Sequence, residues 1–490
     1  MKKYIFAIVA LATMVFTSCD GLLDVQPQGG KVSDEQLQVL IQKDADKVLA
    51  PMMLGMVNYL HTGYRSSSTN GVGLLNWNLG MDLQGNDALL SDMSNWFGSE
   101  YMFENLRQQT ASYTAERWYC YYKMVYKANQ ILDLIPEGAT GQALVYKAQA
   151  LTYRALAYYY LLNIYQASYM HGGKDKAGVP MYLSTGDPTT GRTPVETVYA
   201  QITSDLQEAV AAFKTTEYDS HSSFTDIDAS VANMVLARVA VTYGKYDIAA
   251  TAAGEVISAG YSLMNEEEYT TSGFQEASLP ETIWAYDWAQ ATSLENKSFA
   301  SWVSKTAIDS GSNKGIYLCI DDQLYNKIPS TDYRKKNFVA EQETVGTTIY
   351  PAYITVKFNS PTYRQDEIYM RLSEAYLLKA EAEARNQQYS AAQQTLFDLV
   401  SERDSAYTKS TKTGDALLEE IYVQSRIELW GEGHEWFTNK RFNKGVDRTQ
   451  SGNHSHKVKI AAGKEFTYQI PLSIEINSNP NIKDSDQNPL

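Results

Sequence analysis

Two short stretches of this chain match one another: Lys245-Tyr246-Asp-Ile-Ala249 and Gln388-Tyr389-Ser-Ala-Ala392. Nine residues before each tyrosine stands an alanine, Ala237 or Ala380. A helix, a tight polar turn and a second helix are thus written twice with small residues at matching places. Such a hairpin cannot bury its apolar stripe alone, so a chain that repeats it is directed toward helical hairpins packed on one another.

The second copy belongs to a stretch from Asp366 to Phe442. On one side of its first helix recur Ile368, Leu372, Ala375, Tyr376 and Ala380, while Arg371, Lys379, Glu381 and Arg385 fall largely elsewhere. Asn386, Gln387 and Gln388 make the turn, and Tyr389, Ala392, Leu396 and Leu399 form the stripe of the partner helix. Ala380 and Ala392 let the two backbones approach closely. A further helix follows Gly414.

The tyrosines of the two copies lie 143 positions apart, far more than the roughly 34-residue period of contiguous tetratricopeptide arrays. The hairpins are therefore interrupted. The expected fold is mainly α, with about four tetratricopeptide-like hairpins at about 112–166, 193–260, 366–404 and 414–445. Two stretches lack helical periodicity: 62–100, rich in Gly, Ser and Asn, and an insert at 262–365 with strand-like runs at Thr282–Tyr286 and Ile349–Tyr353.

Local signals place the ends of elements. Ser33-Asp-Glu-Gln36 reads as a capping box before Leu37, Leu40 and Ile41, with a break after His61. Pro136 and Gly138 stop the helix that starts near Ser112. Thr193 reads as an N-cap with Pro194 in the first helical position.

Met1-Lys2-Lys3 and the apolar run from Tyr4 to Phe16 have the form of a secretory leader, too short to span a bilayer. The run ends at Phe16-Thr17-Ser18-Cys19, which resembles a bacterial lipobox. Residues 1–18 are then a lipoprotein signal, Cys19 is lipidated, and 19–32 form a tether to a single body at 33–490. An ordinary signal peptide cut nearby is the blander reading. Cys120 and Cys319 could pair in an oxidising envelope; separately buried thiols are preferred.

With 57 acidic against 42 basic residues the net charge is −15, which argues against a phosphate-backbone partner. Tyrosine is abundant, 36 residues against 14 phenylalanines, and couples an apolar ring face to a hydroxyl. That suits polar ligands and wet helix contacts equally.

Five of the eight tryptophans, Trp77, Trp96, Trp284, Trp288 and Trp302, fall in the two irregular stretches. Sugars offer an apolar C–H face and a belt of hydroxyls, so a glycan site needs flat rings flanked by hydrogen-bonding side chains. Trp77 with Asn78 and Asp82, Asn86, Trp96 with Asn95, Asp287 and Trp288 with Gln290, and Trp302 have that chemistry. A tryptophan is more often a structural anchor. Trp284 alternates inside a strand-like run and goes to the core, as do Trp118, Trp430 and Trp436 on helices.

Catalytic and metal patterns are incomplete. His434-Glu435 opens a zincin-like motif whose second histidine position holds Thr438. His454 and His456 read as a solvated loop rather than a ligand pair. Glu381 and Glu383 point apart on a helix, unlike paired glycosidase carboxylates. Asp226 with Asp228, or Asp484 with Asp486, could bind calcium, but surface acids explain them as well. No metal or cofactor is expected.

The run Arg426-Ile-Glu-Leu-Trp430-Gly-Glu-Gly-His434-Glu-Trp436-Phe437-Thr-Asn-Lys440-Arg441-Phe442 resembles the late signature of the SusD/RagB family of Bacteroidetes. Ala380-Glu381-Ala382 and the closing Ile470-Pro471, Asn479-Pro480-Asn481 and Gln487-Asn488-Pro489 fit the same family. Thr438-Asn439 departs from it, standing where the family usually has Asp-Leu. The resemblance implies a surface lipoprotein of the outer membrane that captures oligosaccharide and passes it to a TonB-dependent, SusC-like barrel without catalysis. A RagB-like peptide binder and, more remotely, a surface glycoside hydrolase are the competing readings.

Overall fold

The computed structural model describes residues 33–65, 72–94, 96–218, 223–271, 274–288, 297–310, 315–360, 363–463 and 466–489. The leader, Cys19, the tether, Asn95 and Gln290 lie outside them. The longer helices are α1 (Asp34–Lys43), α2 (Asp46–Thr62), α3 (Leu74–Asp82), α4 (Ser112–Leu132), α5 (Gly141–Tyr165) and α6 (Val195–Thr215). They continue with α7 (Ala229–Thr242), α8 (Tyr246–Ile257), α9 (Leu372–Arg385), α10 (Tyr389–Arg403), α11 (Gly414–Glu428) and α12 (Glu435–Arg441).

The capping box at Ser33 forms as expected: Gln36 N–H donates to Ser33 Oγ at 3.3 Å and Ser33 N–H to Gln36 Oε1 at 3.0 Å. One residue shifts elsewhere. Pro194 itself is the N-cap of α6, without a side-chain cap bond, because its fixed φ sits at the entry rather than in the first turn. Helix α5 is central, packed by α4 and α6, and buries Tyr153, Tyr158, Tyr159, Tyr160 and Tyr165.

The two matching turns have the same construction. Gly244 (φ +75°) and Gln387 (φ +61°) both occupy the left-handed region, and the next N–H donates five residues back, Lys245 to Ala240 O and Gln388 to Glu383 O, each at 2.8 Å. This bond closes the helix end whichever residue takes the strained position. Distant in sequence, the two hairpins meet in space, with α8 packed against α9. Ala380 and Ala392 are fully buried and share a small core with Leu396, Leu399, Leu417 and Ile421.

The first turn expected at Asp366 is instead strand. Glu367–Arg371 (β6) pairs antiparallel with Thr282–Tyr286 (β2), matching Tyr286 to Glu367 and Thr282 to Arg371, and α9 begins at Leu372. The 368/372 spacing was ambiguous, and a strand partner 85 residues upstream resolved it. A second sheet, ordered β1-β3-β5-β4, is built from Ala88–Leu90 (β1), Leu318–Ile320 (β3), Ile354–Thr355 (β5) and Phe338–Val339 (β4). Ala88 pairs with Ile320 and Leu90 with Leu318. This sheet joins the 62–100 stretch to the insert.

Cys120 and Cys319 are free and separately buried. Among the described residues, no helix is long and apolar enough to cross a membrane.

Candidate functional site

Trp96 is the tryptophan that faces solvent, with 51% of its surface exposed. Its ring lies against Trp302, centroids 6.0 Å apart and planes at 43°, and Phe97 meets Trp302 edge-on at 5.2 Å. Trp302, 4% exposed, therefore backs the shelf rather than forming it. The turn that carries Trp96 is tight. Tyr113 donates its hydroxyl to Trp96 O at 3.1 Å, Asp92 accepts from Ser94 N–H at 2.8 Å, and a Cβ on Gly98 would collide with Met93 O. A flat, half-exposed indole on such a base can stack on the C–H face of a ring.

A second aromatic group marks where the insert meets the end of α2. His61 stacks on Tyr286 (4.3 Å, 9°) and meets Trp288 edge-on at 4.9 Å. Asp366 holds this group in place, accepting the N–H groups of Ala277 and Trp288, both at 2.8 Å. Trp288 is 9% exposed and Asp287 is half-buried.

Four expected contact residues need correction: Trp77, Asn78 and Asp82 because part of the stretch read as a loop is a helix enclosed on every side, and half-buried Asn86, beyond that helix, because its amide is bonded to residues 445–447. All nine residues of α3 are buried. Trp77 is fully buried, packed edge-on against Tyr121 at 5.4 Å, and its carbonyl accepts from Arg117 at 3.0 Å. Asn78 donates to Tyr160 Oη at 3.3 Å. Asp82 accepts the N–H groups of Gly433 (2.7 Å) and Glu435 (2.9 Å), so it serves the entry of α12. Asn86 receives Asp447 N–H at 2.7 Å and donates to Gly445 O at 3.2 Å. The signal was partial: Leu74, Leu75, Trp77, Leu79 and Met81 surround most of the helix, but Asn78 and Asp82, four apart, still share a polar side that the fold turns inward.

The signature run is an interior junction. Arg426 forks onto Asp87, Trp430 donates Nε1 to Asp87 O at 2.9 Å, and Glu435 accepts from Asp87 N–H at 3.1 Å. Trp430 is core as expected, although it lies in the turn after α11 rather than on a helix. Burial pushes the Asp82 carboxyl up to about 7 and the Glu435 carboxyl well above its ordinary value, with Asp87 adding to both. The His434 imidazole is pushed down to about 4 by burial. Asn439 accepts from Tyr422 at 2.7 Å and donates to Glu435 at 3.2 Å, which gives the departing Thr438-Asn439 pair a buried polar contact.

A charged network seats the insert on the repeats. Glu428 of α11 meets Arg371 at 2.6 Å, Arg334 at 3.0 Å and Arg403 at 3.2 Å. Glu281 binds Arg371 at 2.9 Å and also Arg403, while Glu432 binds Arg371 at 2.7 Å and Lys357 at 2.6 Å. These carboxylates are matched by guanidinium and ammonium groups, so they fix geometry.

Histidine 454, expected in a solvated loop, is buried; its ring lies 2.8 Å from Tyr101 Oη and 2.9 Å from Asn86 O. Asp228 caps α7, accepting Val231 N–H at 3.0 Å, and Asp226 accepts from Tyr218 at 2.9 Å. Among the described residues, no group of three or more His, Cys, Asp or Glu side chains could hold a metal ion.

Residues 46–241 match a family profile described as "Starch-binding associating with outer membrane", and residues 281–489 match one described as "SusD family". No curated protein matches the chain. In fold it is similar to a SusD-like carbohydrate binding protein from Bacteroides vulgatus, at 23% identity over 92% of this chain and 98% of that one, with a TM-score of 0.77. It is also similar to surface glycan-binding protein A from Bacteroides uniformis (17% identity, 90% and 99% covered, TM-score 0.66). The protein of the same name from Bacteroides thetaiotaomicron gives 16% identity, 91% and 99% coverage and a TM-score of 0.67. The two profile matches, which together span most of the chain and include the insert from residue 281 onward, place the chain, with its α-hairpin fold, in the SusD/RagB family.

Proposed function

We propose that this protein is a non-catalytic, cell-surface glycan-binding lipoprotein. Anchored at the outer membrane through Cys19, it captures oligosaccharide and delivers it to a TonB-dependent, SusC-like transporter. One observation carries the reading: Trp96 is held half-exposed on a base of Trp302 and Phe97 while the other core tryptophans are buried. The family and the names of its structural neighbours support carbohydrate as the ligand class.

A shelf of this size with a few hydrogen bonds gives affinity in the micromolar to millimolar range, roughly −8 to −4 kcal/mol. Capture followed by release is compatible with that range. The test is calorimetry of wild-type protein and Trp96→Ala against matched oligosaccharide and peptide panels. The reading expects oligosaccharide binding that Trp96→Ala weakens at least tenfold. Peptide binding alone would transfer the protein to the RagB-like reading, and unchanged glycan affinity in the variant would move the site.

A further inference from the structure

A cleft of about 650 Å³ opens where the loop joining α5 to α6 meets the closing segment of the chain. Its wall is held by main-chain bonds: Gly178 N–H donates to Thr193 O at 2.7 Å and Thr193 N–H to Val179 O at 3.0 Å. Arg192 ties the two sides together, its Nε donating to Gly178 O (2.7 Å), its Nη2 to Ala177 O (2.7 Å) and its Nη1 to Asp486 O (2.6 Å). The volume falls within the roughly 300–1,000 Å³ of small-ligand sites.

The lining gathers cations that the protein leaves unmatched. Every side-chain bond of Arg192 goes to a neutral carbonyl, so two Nη–H groups and the charge itself are left over. Burial pushes this guanidinium down to about 10 in spite of the Asp486 carboxylate nearby, as for a cation short of compensation. Lys176 is exposed in the same lining and, among the described residues, forms no ion pair. Beside the lining, Lys440 is 4% exposed and gives its ammonium to Asn163 O (2.6 Å), Gln166 O (2.5 Å) and Phe466 O (2.7 Å), again with no carboxylate. Hydroxyl partners are present too. Thr467, 5% exposed in the wall, has a buried Oγ1 without a hydrogen-bond partner among the described residues. His171 donates Nε2–H to Arg441 O at 3.1 Å, which leaves Nδ1 to accept. Asp486, the acid of the described lining, spends one carboxylate oxygen on Lys483 N–H at 2.8 Å and keeps the other.

Cationic donors and hydroxyl partners in one cleft match a ligand that carries both an anion and hydroxyls. We infer that this cleft is a second subsite, sharing no residue with the Trp96 shelf, that takes an acidic sugar residue of the captured glycan. Lys176 and Arg192 hold its carboxylate or sulfate, and Thr467, His171 and Asp486 meet its hydroxyls. A neutral sugar forfeits the charged contacts, and a bare anion forfeits the hydroxyl contacts. The inference rests on the glycan-binding reading and names a substrate class for it.

Saturation-transfer NMR titrations of the full chain at low salt test it, with methyl glucuronide, glucose 6-sulfate and methyl glucoside as ligands and sodium sulfate and tetraglutamate as competitors. At least one acidic sugar is expected to bind saturably and at least tenfold tighter than methyl glucoside. Lys176→Glu should weaken it at least tenfold and Thr467→Val at least threefold. Lys123→Glu on α4 changes the net charge by the same amount and should leave it within twofold, with thermal midpoints confirming folded protein throughout. Trp96→Ala should keep the acidic-sugar signal while losing binding of neutral oligosaccharides. The assignment is overturned if methyl glucoside binds as tightly, if Lys176→Glu weakens binding no more than Lys123→Glu does, or if the signal disappears in Trp96→Ala. Sulfate competing as tightly as the sugar binds overturns it in favour of a general anion site, and tighter competition by tetraglutamate overturns it in favour of an acidic peptide. Neutral oligosaccharide binding without any acidic-sugar signal also overturns it and leaves the Trp96 reading intact; absence of all glycan binding fails the broader reading and the cleft assignment with it.

Discussion

Trp77 and Trp96 lie in one stretch, each beside polar residues that could read a sugar, yet they have opposite fates. Trp77 belongs to a helix whose every side meets protein, and its polar neighbours Asn78 and Asp82 are spent on Tyr160 and the entry of α12. Trp96 sits on a short turn supported from one side. Chemical suitability is shared by both; accessibility is decided by what packs around the backbone that carries them.

The comparison can be broken most severely at Trp77. Trp77→Ala empties a site in the main core and should cost about 3–5 kcal/mol of unfolding free energy, read by denaturant titration. A loss under about 1 kcal/mol would mean that α3 is not enclosed. Glu428→Gln probes the network that seats the insert: it leaves Arg334, Arg371 and Arg403 under-compensated and should cost about 3–5 kcal/mol. Trp96→Ala is the converse of Trp77→Ala. Stability should change by no more than about 0.5 kcal/mol, as for an exposed residue, while oligosaccharide affinity falls at least tenfold.

A subtler test uses pH. Asp82 is pushed up to about 7 by burial, against about 3.9 for an unfolded aspartate. The protonated acid therefore favours the fold. Its contribution is complete below about pH 4 and is lost as pH rises through about 7. Asp82→Asn lacks this slope, so the stability difference between wild type and variant should narrow between pH 4 and 7. A constant difference would show that the carboxyl does not titrate in that window. The smallest effect on binding is expected from Tyr113→Phe, which removes the exposed bond to Trp96 O: a stability loss of about 0.5 kcal/mol, with oligosaccharide affinity changed less than threefold.

Legibility followed the range of the interactions. The capping box at Ser33 and the paired turns before Tyr246 and Tyr389 depend on neighbours within a few residues, and the shared core of Ala380 and Ala392 on a single hairpin, so all could be read directly. Core places for Trp118, Trp284 and Trp436 were readable from helical spacing or strand alternation. Glu367–Arg371 was misread because a strand needs its partner, here Thr282–Tyr286, before its register exists. Buried His454 was misread for a similar reason: Tyr101 and Asn86, which bond its ring, lie more than 350 residues away.

Local periodicity and turn chemistry thus determined, from the sequence by itself, that this chain makes interrupted helical hairpins, and the run from Arg426 to Phe442 pointed to its family. Which aromatic rings remain in contact with water was decided by the tertiary structure. Solvent exposure is a property of the whole surrounding surface: the enclosure of α3, the β1–β3 pairing and the tilted contact of Trp96 with Trp302 all bring together segments that only the folded chain makes adjacent.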